Sequence, residues 1–145
     1  MKADDRRHFG ALMRLAEFRR LRTVTRRQME WKVSLGTWAL LAGSAFYLKD
    51  KPFPALAVLV AAAVVAHIWF WVRWNWNANE RDIRLSFYYA EKAECMILAD
   101  APDAGERPKL SRKEELFGFL GHGPPQFQCL ATITLAGAVL LFRSN

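Results

Sequence analysis

Three blocks of this chain contain no Asp, Glu, Lys or Arg: Val33 to Leu48, Ala55 to Val72 and Pro124 to Phe142. The only ionisable side chains in the first two are the Tyr47 phenol and the His67 imidazole. Between the blocks charge is dense, and a run such as Arg19-Arg20-Leu21-Arg22 is too charged to be buried whole. A soluble core does not need its charges swept this cleanly, because a charged residue on the solvent side of a core helix costs little. A hydrocarbon layer does, since one charge at its centre costs about 3 kcal/mol or more. The mean hydropathy of −0.03 averages both kinds of segment and hides the pattern. The sequence predicts an all-α integral membrane protein: a transmembrane helical hairpin, long cytosolic helical extensions and a third, C-terminal transmembrane helix.

A helix crosses the hydrocarbon core in roughly 17–25 residues. Ala55 to Val72 supplies eighteen. Val33 to Leu48 supplies sixteen, extended to eighteen by Trp31 and by the stem of Lys32, whose ammonium can snorkel to the interface. Between them Lys49-Asp50-Lys51-Pro52-Phe53-Pro54 holds two prolines that cannot continue a helix, and it reads as a tight hairpin turn. The last block has Gln126 and Gln128 at its start and Arg143-Ser144-Asn145 at its end. It is expected to cross, placing the C-terminus outside; the alternative is a helix folded back on the hairpin or lying in the interface. The chain thus divides into a basic cytosolic helix (1–32), the hairpin (33–72), a cytosolic helix with a loop and a short interfacial helix (73–123), and the third transmembrane helix (124–145). About thirty polar and basic residues precede the first apolar block, so it reads as an uncleaved signal anchor rather than a cleavable signal peptide.

The net charge of +7 is concentrated at one end. Residues 1–32 hold ten Lys or Arg against four acids, whereas 73–124 hold eight against nine. With a cytosolic N-terminus the cytosolic side carries both groups, and the far side only Lys49, Lys51 and Arg143, a strong positive-inside bias. Indole rings favour the headgroup layer, and Trp31, Trp69, Trp71, Trp74 and Trp76 crowd the same end of both hairpin helices as interface anchors. The expected location is a bacterial inner membrane, multi-pass, with the N-terminus in the cytosol. One basic block is a poor nucleic-acid surface. Arg14, Arg19, Arg20, Arg22, Arg26 and Arg27 would instead grip anionic headgroups, at about 1 kcal/mol each, dock an acidic protein partner, or simply set topology.

Residues 5–30 read as a helix with a short apolar stripe of Phe9, Leu12, Met13 and Ala16, from which Phe18, Leu21 and Val24 rotate away. Glu80 to Ala99 carries two stripes: Ile83, Phe87, Ala90 and Ile97 on one face, and Leu85, Tyr89 and Met96 nearly opposite. Two stripes imply two neighbours, one of them the N-terminal helix and the other a second copy. Glu80, Asp82, Glu91 and Glu94 are candidate partners for the arginines. Asp100 to Pro108 reads as a loop. Ser111 and Glu114 form a capping box for a helix at about 112–120, ended by Gly121, and His122-Gly123-Pro124-Pro125 reads as a turn.

No catalytic set, phosphate loop or metal signature is present, so no enzyme activity and no cofactor are expected. His8, His67 and His122 lack ligands at metal spacing, and Cys95 and Cys129 read as small apolar packing residues. His67 stands out because an ionisable group within a span is a functional candidate by default. It is either a pore or proton-related residue or an interhelical one bonding across to Ser34 or Thr37. Small residues at Gly36, Ala39, Gly43, Ala57, Ala61, Ala62, Ala66, Thr134 and Ala138 allow close helix approach.

The layout of residues 1–99, a basic helix, a hairpin and a second cytosolic helix, resembles the small two-transmembrane effectors of bacterial defence systems, the SLATT type. The C-terminal apolar block is an addition to that pattern. The resemblance implies a homo-oligomeric effector that perforates or depolarises the membrane, and it carries over no functional residue. The alternative is a non-catalytic accessory subunit of a larger membrane complex. A polar face on the spans favours the channel, and uniformly apolar spans favour the scaffold.

Overall fold

The computed structural model describes residues 3–47, 53–98 and 105–144, and among them every regular element is helical. The first helix, α1, runs Ala3–Tyr47, consistent with a segment free of proline. α2 (Phe53–Val65) passes directly into a π-helical segment (Ala66–Val72) and then α3 (Arg73–Cys95). α4 (Arg112–Phe117) is followed by a 3₁₀ turn (Gly118–Gly121) and α5 (Gly123–Ser144). Pro54, Pro124 and Pro125 all fall in first turns, where the missing N–H would have had no partner. Residues 48–52 of the expected hairpin turn, and 100–104 of the expected loop, lie outside the described residues.

Two helices, Phe53–Cys95 and Gly123–Leu141, are long and apolar enough to cross a membrane. Phe53 and Pro54 of the expected hairpin turn begin α2, and Gly123, Pro124 and Pro125 of the expected later turn begin α5. The tryptophan- and asparagine-rich run 74–79 is helical, within α3, and Asn75 and Asn79 are buried on it. The π turn was not anticipated; the Arg73 N–H closes it by bonding the carbonyl of Ile68, five residues back.

The chain folds as two compact units. One comprises Met1–Arg27 and Ala78–Ser111. Leu12, Ala16 and Thr23 of α1 and Asn79, Asp82, Leu85 and Ala93 of α3 are its buried residues. Of the two stripes on α3, the one bearing Leu85 turns inward. Ile83, Phe87 and Ala90 of the other line an open groove of about 620 Å³ together with Met13 and Ala16.

The other unit comprises Gln28–Asn77 and Arg112–Asn145. Its apolar core has two parts. Leu41, Leu56, Val60, Ala136 and Val139 make one, and Val72, Trp76, Phe119 and Cys129 the other. These pairings run α2 antiparallel to both α1 and α5. Glu115 fixes α4 in place, its carbonyl accepting from Arg73 Nε and Asn77 Nδ2, both at 2.9 Å. The small residues Gly36, Ala39, Ala61, Ala62, Ala66, Thr134 and Ala138 are exposed and take no part in packing this unit.

The outer edge of the Trp76 ring lies against Gly118. A Cβ at 118 would stand 2.7 and 2.9 Å from ring atoms Cζ3 and Cζ2, and closer still to Cη2. A rigid indole that is 7% exposed cannot yield. Gly118→Ala should therefore cost about 1–2 kcal/mol by overpacking and shift the Trp76 fluorescence, whereas Gly121→Ala, with open space around it, should change neither.

Candidate functional site

The span histidine is the centre of a buried polar cluster that joins three helices. His67 Nε2 lies 3.0 Å from Ser34 Oγ on α1, and Nδ1 lies 2.9 Å from Thr132 Oγ1 on α5. Trp38 Nε1 donates to the same Thr132 oxygen at 2.9 Å, and Thr132 in turn donates to the carbonyl of Gln128 at 2.7 Å. Ser34 and Thr132 are fully buried, and His67 is 4% exposed.

Donor counting selects one tautomer. With the proton on Nδ1, the ring and Trp38 both donate to Thr132, whose own hydroxyl is spent on the Gln128 carbonyl. Nε2 is then the acceptor for the Ser34 hydroxyl. The alternative tautomer would require Thr132 to donate to His67 and would leave the Gln128 carbonyl without that bond. The Nδ1–H form satisfies every group in the cluster.

Of the two partners expected for His67, Ser34 is engaged. Thr37 is not; it donates to the Val33 carbonyl of its own helix at 2.9 Å. Thr132, on the C-terminal helix, takes its place. The signal for it was available: Gln128 and Thr132 lie one turn apart on α5, as do Glu30 and Ser34 on α1, and His67, Trp71 and Asn75 on the second helix. All of Glu30, Ser34, His67, Asn75, Gln128 and Thr132 are buried. Each helix thus turns a polar ladder inward.

The tryptophans divide. Trp69 is exposed and carries the Arg73 guanidinium over its ring at 4.6 Å, and Trp74 is exposed beside Trp71. Trp31 packs with Trp38 and Phe127, ring centroids 6.1 to 6.4 Å apart. Trp76 is not an outward-facing anchor: Gly118 opens a slot for its ring, and His122 closes the slot at 5.2 Å.

The arginines divide too. Asp82, 4% exposed, receives Arg19 Nη1 on Oδ1 and Arg26 Nη2 on Oδ2, each at 2.8 Å, with Arg22 at 3.9 Å. Arg26 also donates to Asn79 Oδ1 at 3.1 Å. Arg14 and Arg20 line the open groove, and Arg27 is exposed. Three of the six expected surface cations are therefore directed at one internal acid. Among the described residues no group of three or more His, Cys, Asp or Glu could hold a metal ion.

The chain matches no protein-family model, no curated protein and no solved structure.

Proposed function

We propose that this chain is a non-catalytic, multi-pass inner-membrane protein, N-terminus in the cytosol, that acts by assembling with copies of itself into a membrane-perturbing effector of the kind the SLATT-type layout suggests. In this reading the end of α1, α2 with the π turn, and α5 each cross the bilayer. The observation that carries it is apolar surface where lipid would not reach. Phe18, Leu21 and Val24 of α1 are more than half exposed, and so is Phe87 beside the groove, all in the unit assigned to the cytosol. Large apolar side chains exposed in this number outside the hydrocarbon are candidates for a protein contact. The outward-facing small residues on α1, α2 and α5 supply the matching close-approach surface within the bilayer.

A second reading, the accessory subunit, is favoured by the direction of the polar groups. Ser34, His67, Gln128 and Thr132 all point into the unit, and among the described, outward-facing span residues Gln126, at the start of α5, and Thr134 carry the amide and hydroxyl groups. A wide aqueous pore would need a polar lining, so the effector would act through a narrow or dewetted path.

The test is the mass of the nanodisc-extracted protein expressed alone, with membrane potential followed in the same cells. A defined homo-oligomer together with depolarisation is the expected result, and the paired change Phe18→Ser with Leu21→Ser should reduce both while the helices stay folded. A monomer that leaves the potential intact overturns the effector in favour of the accessory subunit.

A further inference from the structure

The fully bonded cluster at His67 has a second polar layer beside it that is not satisfied. α1 and α5 run the same way and the His67 helix runs against them, as the pairing of Ser34, His67 and Thr132 requires. One turn back along α1 is Glu30, one turn on from His67 is Trp71, and one turn back along α5 is Gln128. All three steps lead toward the same end of the unit, so these residues share a level. Trp71 packs against the core group that contains Cys129, the immediate neighbour of Gln128.

Gln128 is 0% exposed, and neither its Nε2 nor its Oε1 has a hydrogen-bond partner in the chain. The buried Trp71 Nε1 also lacks one. Exchanging the amide O and N does not repair this, because both atoms are unpaired. A buried polar atom left without a partner forfeits its hydration with nothing in exchange, and here there are three such atoms.

We propose that Trp71 and Gln128 hold internal water, one or two molecules, at this level of the bundle. The donor set decides the class of ligand. Two of the orphan atoms donate (the indole N–H and the amide NH₂) and one accepts (the amide oxygen). A metal cation would meet two N–H groups in place of oxygen ligands. An anion would take the N–H groups but leave the amide oxygen facing it, one level shared with the buried Glu30 carboxyl. Water accepts from both donors and returns a proton to the oxygen, and buried waters commonly make about three such bonds. The site is distinct from the His67 cluster, whose donors and acceptors are already matched. It adds a bridge between the second helix and α5 where no direct side-chain bond joins Trp71 to Gln128.

The experiment uses the full chain in nanodiscs, labelled with ¹⁵N in glutamine side chains and tryptophan indoles, and reads magnetisation transfer from water by nuclear magnetic resonance. Transfer to the Gln128 NH₂ and the Trp71 Nε1–H is expected despite their burial, with none to backbone amides beside Leu56 and Val60 in the dry core. Gln128→Leu, close in volume, should abolish transfer to Trp71, because it removes two of the three groups that hold the water. Absence of transfer to both groups in the wild-type protein overturns the site, and that measurement needs no variant to fold. A direct Gln128–Glu30 contact without water also overturns it. Persistence of the Trp71 signal in Gln128→Leu would overturn a shared site. None of these readings depends on assembly or depolarisation, so the water site and the proposed function fail or stand separately.

Discussion

Asp82→Ala should destabilise the arginine-rich unit by about 3–5 kcal/mol, the largest effect expected of any single substitution in it. Among the described residues this carboxylate is the acid that both guanidinium groups share, and Arg19 and Arg26 are themselves largely covered, with side chains 24% and 14% exposed. Removing it leaves two partly buried like charges facing each other. Removing one arginine leaves the other still paired, so Arg19→Ala and Arg26→Ala should each cost less. Arg22, at 3.9 Å and half exposed, is screened by solvent and should cost little.

The same pair sets a pH dependence. Burial by itself pushes the Asp82 carboxyl up. Hydrogen bonds from Arg19 and Arg26, with the charges of both, outweigh that and hold it below the usual aspartate value. As pH falls, the unfolded chain therefore takes up this proton before the native one does. The contribution is complete above roughly pH 4 and is lost as pH falls through the depressed native value. Hydrogen exchange of α3 amides between pH 7 and 3, interpreted after correction for intrinsic rates, checks the sign. The wild-type protein should lose protection below pH 4, whereas Asp82→Asn should start lower and vary less. Equal protection in the two proteins would mean that the carboxylate does not hold the unit together.

Why the sequence disclosed the spans but not this clamp is a matter of what patterns can carry. The apolar blocks at 55–72 and 124–142 are readable because the absence of charge is a property of every residue in them. On α1 the apolar stripe stops at Ala16, and Phe18, Leu21 and Val24 lead the eye to the wrong face. The inward face in fact continues through Arg19, Thr23, Arg26, Glu30 and Ser34, at steps of three or four residues. Hydrophobic periodicity cannot register a face made of polar groups that satisfy one another. Asp82 was legible as one of four candidate acids, but only packing selects it over Glu80, which bonds Arg84 one turn along its own helix. The Trp76 slot and the π turn had no sequence signal. The slot depends on a glycine more than forty residues away, and the register in which the three polar ladders meet is set by packing between helices that no local pattern records.

Thr132→Val tests that register most directly, because the two side chains are close to the same size and the change creates no cavity. Thr132 is the shared acceptor for His67 Nδ1–H and Trp38 Nε1–H, and it is fully buried. Valine strands both donors away from water, at about 1–3 kcal/mol for each that finds no substitute, so a loss of about 2–4 kcal/mol is expected. Ser34→Ala should cost distinctly less. It removes one donor from Nε2 and leaves a lone pair, not an N–H, uncovered, and the imidazole keeps its other bond. The size of that gap rests on the Nδ1–H tautomer; if the proton sat on Nε2, Ser34→Ala would strand that N–H, Thr132→Val would strand only the Trp38 N–H, and the two losses would be similar. Unfolding free energies of the two variants in bilayers, taken with the ¹⁵N shifts of His67, separate the cases. The Nδ1–H form predicts the larger loss for Thr132→Val together with a protonated-type Nδ1 shift. In the Thr132→Val protein the ring should then be free to exchange tautomers, which would broaden both nitrogen signals while Ser34→Ala leaves them sharp.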